Sequence, residues 1–201
     1  MVSRSRDEVL RSLRAANVEP LPLPERGISG VRFPDVEAQF AKSVSEVGGR
    51  CVFVYGRAED TNIESVLLQI PQYASAKYVV SLVPGLEKSN VDRAYLRTPR
   101  DTWHIDFCVL PGVLGVAENG AVWVVEGAYA HRGTWFLAEH MALVVPARSI
   151  VHNMHEAYER IHVGGPGFAT FISGPSKTAD IEQSLVIGAQ GPRSCTVIVT
   201  H

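Results

Sequence analysis

From Pro34 onward, apolar residues recur at helical spacing at Val36, Phe40, Val44 and Val47, and Gly48-Gly49 stops the run. The segment Cys51-Val-Phe-Val-Tyr55 that follows is apolar without a break and has the length of a strand. Ile63, Val66, Leu67 and Ile70 repeat the helical spacing as far as Pro71, and Tyr78-Val-Val-Ser-Leu-Val83 repeats the apolar run. Apolar strands alternating with amphipathic helices predict a parallel sheet covered on both faces.

The middle of the chain reads differently. Trp103 to Leu110 predicts a strand, Pro111 to Gly120 a turn, and Ala121–Val125 a strand pairing back. Met141–Val145 follows too soon for a crossover helix, so antiparallel neighbours are expected here. Next comes a helix with Val151, Met154, Tyr158 and Ile161 on one face, then a strand over Phe168–Ile172. A turn at Gly174-Pro175, a helical piece through Leu185 and a strand over Thr196–Thr200 complete the pattern. At the other end, Ser5 and Glu8 have capping-box spacing before Val9, Leu10 and Leu13, and alternating prolines from Pro20 to Pro24 favour an extended linker. The fold class is α/β, with a mixed, mostly parallel sheet flanked by helices. Residues 1–33 form a helix and Pro-rich linker, and residues 34–201 a single domain. The arm is placed to touch a neighbouring protomer, so a homo-oligomer is allowed.

Composition narrows the function. Hydrophobic residues make up 46% of the 201 positions, enough for a sizeable core, and 20% are charged. Nineteen Lys and Arg against twenty-one Asp and Glu give a net −2, with no basic stripe for nucleic acid. The longest uncharged apolar stretch, Phe107 to Ala117, is broken by Pro111, Gly112 and Gly115, far short of a membrane span. No apolar secretory core follows the start. Cys51, Cys108 and Cys195 stand apart in strand-like runs, as reduced thiols of a cytoplasmic protein would. Three such residues make no four-thiolate cage, so no iron–sulfur cofactor is expected, and none of another kind.

Several candidate chemistries fail on spacing. Ser176-Lys177-Thr178 looks like the end of a phosphate loop, but Ser176 and Phe171 occupy the positions that need glycine. A looser anion site at this turn remains, beside the plainer reading that Ser176 or Thr178 caps a helix. His152 and His155 share a helix flank, and His104 and Asp106 a strand face, without an identifiable third ligand. No Gly-x-Ser-x-Gly elbow occurs. Glu118-Asn119-Gly120 has two readings: a tight hairpin turn, or a turn whose carboxylate acts as nucleophile or acid/base at the mouth of a sheet. The last forty-one residues hold four charges, Lys177, Asp180, Glu182 and Arg193, and three of these fall within six positions. Such clustering marks either a site or an ion pair.

The run Gly174-Pro-Ser-Lys-Thr-Ala-Asp-Ile-Glu182, then Gly188-Ala-Gln-Gly-Pro192 and an apolar strand, resembles the C-terminal signature of the LUD-domain family, the LutC/YkgG lactate-utilisation group. Glu118-x-Gly120 and Pro146 ahead of His152 and His155 look like that family's middle section. The resemblance runs from about Pro34 to the end. It implies a Rossmann-like three-layer fold similar to the NagB/RpiA/CoA-transferase superfamily. It also implies a part in oxidising L-lactate to pyruvate, as an accessory or regulatory subunit beside separate iron–sulfur subunits. A rival expectation from the superfamily is an enzyme acting on a CoA ester, folate or sugar phosphate, with Glu118 as catalytic carboxylate. In either case Asn119, Gly120, Gly174, Ser176, Lys177, Thr178, Asp180 and Gly191 are the expected binding residues for a small anionic metabolite. No metal ligand is expected. The site is expected beyond the carboxyl ends of the strands, where α/β sheets gather ligands. The chain departs from the family pattern at Gln190, where His is usual, and at Asn119, where Thr or Ser is more frequent.

Overall fold

A computed structural model describes residues 3–16, 30–56, 63–126, 132–161, 167–178 and 186–201. The expectations for Pro20–Pro24, for Asp180 and Glu182, and for a helix over 179–185 lie outside these residues. In chain order the helices are α1 (Ser3–Ala15), α2 (Val36–Glu46), α3 (Ile63–Leu67), α4 (Pro71–Ser75), α5 (Gly133–Leu137) and α6 (Met154–Arg160). The strands are β1 (Arg50–Val54), β2 (Val79–Ser81), β3 (Phe107–Pro111), β4 (Leu114–Val116), β5 (Ala121–Val125), β6 (His140–Pro146), β7 (Ile150–Val151), β8 (Ala169–Ile172), β9 (Lys177–Thr178), β10 (Val186–Ile187) and β11 (Ser194–Thr200).

The apolar strands pair as a parallel five-stranded sheet in the order β1-β11-β6-β3-β2. Successive side chains on a strand point to opposite faces, and the two faces are covered differently. Cys108, Leu110, Met141, Leu143, Val197 and Val199 pack with Phe40 and Val44 of α2. Phe107, Val109, Ala142 and Ile198 pack with Leu67 of α3, Tyr73 of α4 and Ile70 just ahead of α4. Burial on both faces explains why these strands carry no polar alternation. A second sheet, ordered β7-β4-β5-β8, shares the α2 side and carries α6, whose Ala157 packs with Val116 and Val151.

Several expectations change. The stretch from Pro111 to Gly120 is not one turn. After Pro111, the Gly112 amide still bonds the Val144 carbonyl, but the Val113 amide already bonds Trp123 of the second sheet. That switch creates β4, and the turn proper is 117–120. Antiparallel pairing holds for β5 with β4 and β8, but β6 is parallel to β3, Leu110 lying opposite Leu143. The β4–β5 excursion and α5 do the work of the missing crossover helix. Val151 belongs to a strand, and α6 starts only after Asn153, whose side chain accepts the Glu156 amide at 3.0 Å. The helix predicted over 63–70 ends at Leu67, and a separate helix, α4, opens with Pro71 at its first position. Ser5 and Glu8 lie within α1, which begins at Ser3. Trp103 and His104 precede β3 instead of joining it.

Among the described residues, no helix is long and apolar enough to cross a membrane. The three cysteines are free thiols. Burial pushes Cys51 up to about 11 and Cys195 up to about 12, and it raises Cys108 as well.

Candidate functional site

The last turn of α2 organises the predicted residues. Gly120 closes the β4–β5 hairpin at φ +66, and a Cβ there would stand 2.7 Å from the Val44 amide nitrogen. Only glycine allows both the left-handed turn and that approach. Ser43, one residue earlier on the helix, donates a buried 2.6 Å hydrogen bond to the Ala117 carbonyl. Asn119 folds back so that its Oδ1 accepts the Ala121 amide at 3.1 Å. Its own carbonyl accepts the Ser173 hydroxyl at 2.9 Å.

That bond carries the chain to the signature segment. Gly174 follows at φ +70, with its Cβ position 2.5 Å from the Val47 carbonyl oxygen at the end of α2. Lys177 reaches the same helix end, its Nζ 3.6 Å from the Cβ position of Gly48. An ammonium group there meets the negative end of the helix dipole. Gly191 packs against Ser176, with 3.1 Å between its Cβ position and the Ser176 Cβ. Asn119, Gly120, Gly174 and Lys177 thus gather around Ser43–Gly48, with Ser176 and Gly191 packed on each other next to Lys177.

The gathering lies at the amino ends of β1 and β11, opposite to the expected end. β4 causes this, because it runs alongside α2, with Gly115 at Phe40 and Gly120 at Val44. It therefore delivers its turn to the end where α2 stops and β1 begins. Two details of the anion expectation also change. The Ser176 amide donates to the Pro192 carbonyl at 2.9 Å, and the Gly188 amide to Ser176, so that amide faces no ligand. Lys177 and Thr178 form a short strand, β9, paired with Val186 and Ile187, while the helix that Ser176 or Thr178 is expected to cap lies outside the described residues.

Glu118 sits in the turn, and its carboxylate is engaged by α6. It is exposed, and its Oε2 accepts the Met154 amide at the start of α6 at 2.9 Å. His152 Nδ1 accepts the Phe33 amide at 3.1 Å, while His155 is exposed. The Asp106 carboxylate accepts the Lys77 and Tyr78 amides. No group of three or more potential metal ligands occurs among the described residues.

One pair escaped the sequence reading. His140 Nδ1 and Ser194 Oγ stand 2.8 Å apart, because β6 and β11 place the two residues in register at the same amino end. Burial holds His140 below its ordinary value, helped by the Arg193 charge and opposed by Glu139 and Asp106. Arg193 pairs with Glu139 at 2.8 Å. Nothing in the sequence spacing signals this contact, since only strand register creates it.

The fold and this end of the sheet define a three-layer α/β protein whose signature loops wrap the end of one helix. The LUD domain model matches residues 75–200, and the chain belongs to that family. Lactate utilization protein C of Halalkalibacterium halodurans is 33% identical over 91 residues, 42% of this chain and 40% of that protein. The protein of the same name from Geobacillus kaustophilus is 37% identical over 90 residues, 42% and 38% of the two chains. The match spans about two-fifths of these relatives' length. A solved DUF162 family protein from Deinococcus radiodurans superposes with a TM-score of 0.57 at 14% identity, over 83% of this chain and 96% of that one. This likeness carries the fold alone.

Proposed function

We propose that the protein is a component of a lactate-utilisation system, an accessory or regulatory subunit that works beside iron–sulfur subunits in oxidising L-lactate to pyruvate. The observation that carries this reading is family membership together with relatives named lactate utilization protein C at 33% and 37% identity. The thiols support a chain without its own cluster: Cys108 and Cys195 lie in the core on either side of Met141, inert through burial. A small anionic metabolite would sit at the rim formed by Gly174, Ser176, Lys177 and Gly191, with the exposed Lys177 as its cation. Thr178 would extend that rim.

The alternative is an enzyme of the superfamily with Glu118 as catalytic carboxylate toward a CoA ester, folate or sugar phosphate. The bond from the Met154 amide favours a capping role for Glu118 instead. Deleting the gene in a host that keeps the partner subunits tests the first reading. Growth on L-lactate should fail and return with the wild-type gene, and unchanged growth would end the proposal. A thermal-shift screen with lactate, pyruvate, CoA esters, folates and sugar phosphates tests the second. A bound ligand at 100-fold over Kd adds about 2.7 kcal/mol to stability.

A further inference from the structure

We propose that the segment from Arg93 to His104, with Tyr78 beside it, is a docking face for an acidic protein partner. The inference rests on the reading above that this chain works beside other subunits, and it names the surface they would use.

The backbone of this segment is held rigidly. Two short 3-10 turns, Arg93–Tyr95 and Pro99–Thr102, make up most of it. Asp92 accepts the Ala94 amide at 2.9 Å, and Asp101 accepts the Thr98 amide at 2.7 Å and the Arg97 amide at 3.1 Å. Leu96, Thr102 and Ile105 are buried and peg the segment to the body. Beside these pegs the large side chains stand exposed. Trp103 is 78% exposed, Tyr95 74% and Tyr78 50%. Trp103 and Tyr78 each meet the His104 ring edge-on, at 6.0 and 5.2 Å, so these three form one continuous patch.

Large aromatic rings left in water on a rigid loop gain nothing for the fold. They suit binding, because the loop needs no ordering when a partner arrives. The charges give the partner's sign. Asp92 and Asp101 accept amides of the segment itself, and against these two carboxylates stand the three exposed guanidinium groups of Arg93, Arg97 and Arg100, which leaves an excess of one positive charge beside the rings. Trp, Tyr and Arg are the residue types that dominate interface energetics. A protein partner fits better than nucleic acid. Three guanidinium groups on a chain of net charge −2 make no phosphate track.

The test uses the full chain and the purified iron–sulfur subunits of the host's lactate-oxidising system, titrated at two salt concentrations. The chain should bind, and more weakly at high salt. Trp103→Ala and Arg97→Glu/Arg100→Glu should each weaken binding at least tenfold without moving Tm. Tyr158→Ala, on the exposed side of α6, should not. Equal binding by all variants overturns the face. So does a Trp103-dependent dimer of this chain, or Trp103-dependent binding of poly(U) RNA, in place of subunit binding. Failure of the subunits to bind at all refutes the docking proposal, while growth of the deletion strain on L-lactate judges the functional reading separately.

Discussion

Ser43 donates its hydroxyl to the carbonyl of Ala117, seventy-four residues further along the chain, at 2.6 Å in a buried setting. This bond fixes the β4–β5 turn on α2, and so fixes where Glu118 and Asn119 stand. Ser43→Ala leaves a buried carbonyl without its donor, at a cost of about 1–3 kcal/mol. Urea unfolding should show a lower midpoint with an unchanged slope. An unaltered midpoint would mean that the turn is held by its other contacts, through Gly120, Asn119 and Glu118.

Gly174→Ala should cost more than an ordinary glycine substitution. Its φ of +70 penalises any side chain by roughly 1–2 kcal/mol, and a methyl group would also meet the Val47 carbonyl at 2.5 Å. Gly85 supplies the control, with φ +81 and nothing within 4 Å of its Cβ position. The Gly174 variant should therefore lose stability beyond the Gly85 variant, as measured by the difference in urea midpoints. Equal losses would show that α2 yields to the clash.

The contrast between these two glycines shows what the sequence can and cannot reveal. Continuous apolar runs such as Cys51–Val54 and Val197–Val199 announce parallel strands, the first half-buried at the edge of the sheet and the second buried on both faces. The turn at Glu118-Asn119-Gly120 is equally visible, since Asn-Gly has a strong local preference. The direction in which that turn points is not visible. It depends on the chain leaving the first sheet at Gly112, where the Val113 amide finds Trp123, a long-range choice. The short strand at Lys177–Thr178 is hidden for the same reason: residue types common at turns and caps also occupy a strand when a partner such as Val186–Ile187 is at hand. His140 and Ser194, fifty-four positions apart, meet only through register.

The thiols give a chemical prediction. With Cys51 at about 11, roughly one molecule in a thousand carries its thiolate at pH 8. Cys108 and Cys195 are buried and held higher still. Reaction of the native protein with an aromatic disulfide reagent should be slow, and three thiols should appear quickly after denaturation. Rapid labelling of one thiol in the native state would show an opening that frees Cys51.

Stability should fall in two steps as pH is lowered. His140 is held below its ordinary 6.5 in the fold, so the unfolded chain takes the proton more readily. Its contribution is complete above about 6.5 and is lost as pH falls from there through the depressed folded value. Glu64 follows at lower pH. Burial alone would raise its carboxyl, but the Lys88 and Glu87 amides, the Tyr73 hydroxyl and the Lys88 charge together carry it below 4.5. Its contribution is present above 4.5 and is lost as pH falls through the folded value. Urea midpoints across this range should lose the upper step in His140→Gln and the lower one in Glu64→Gln. If both steps survive, other groups carry the dependence.

Glu118 separates the two functional readings most directly. As a cap, it needs only an oxygen to accept the Met154 amide, and glutamine supplies one. Glu118→Gln should then leave both Tm and growth on L-lactate unchanged. Glu118→Ala removes the acceptor from an exposed helix start and should lower stability by about 1 kcal/mol or less. A catalytic carboxylate behaves otherwise, because glutamine has neither the charge nor the titrating proton that nucleophilic or acid/base work requires. Loss of function in Glu118→Gln at constant Tm would therefore overturn the capping role and favour the enzyme. Melting curves and lactate growth of the same two variants decide between them, since stability reports the bond to Met154 and growth reports the charge.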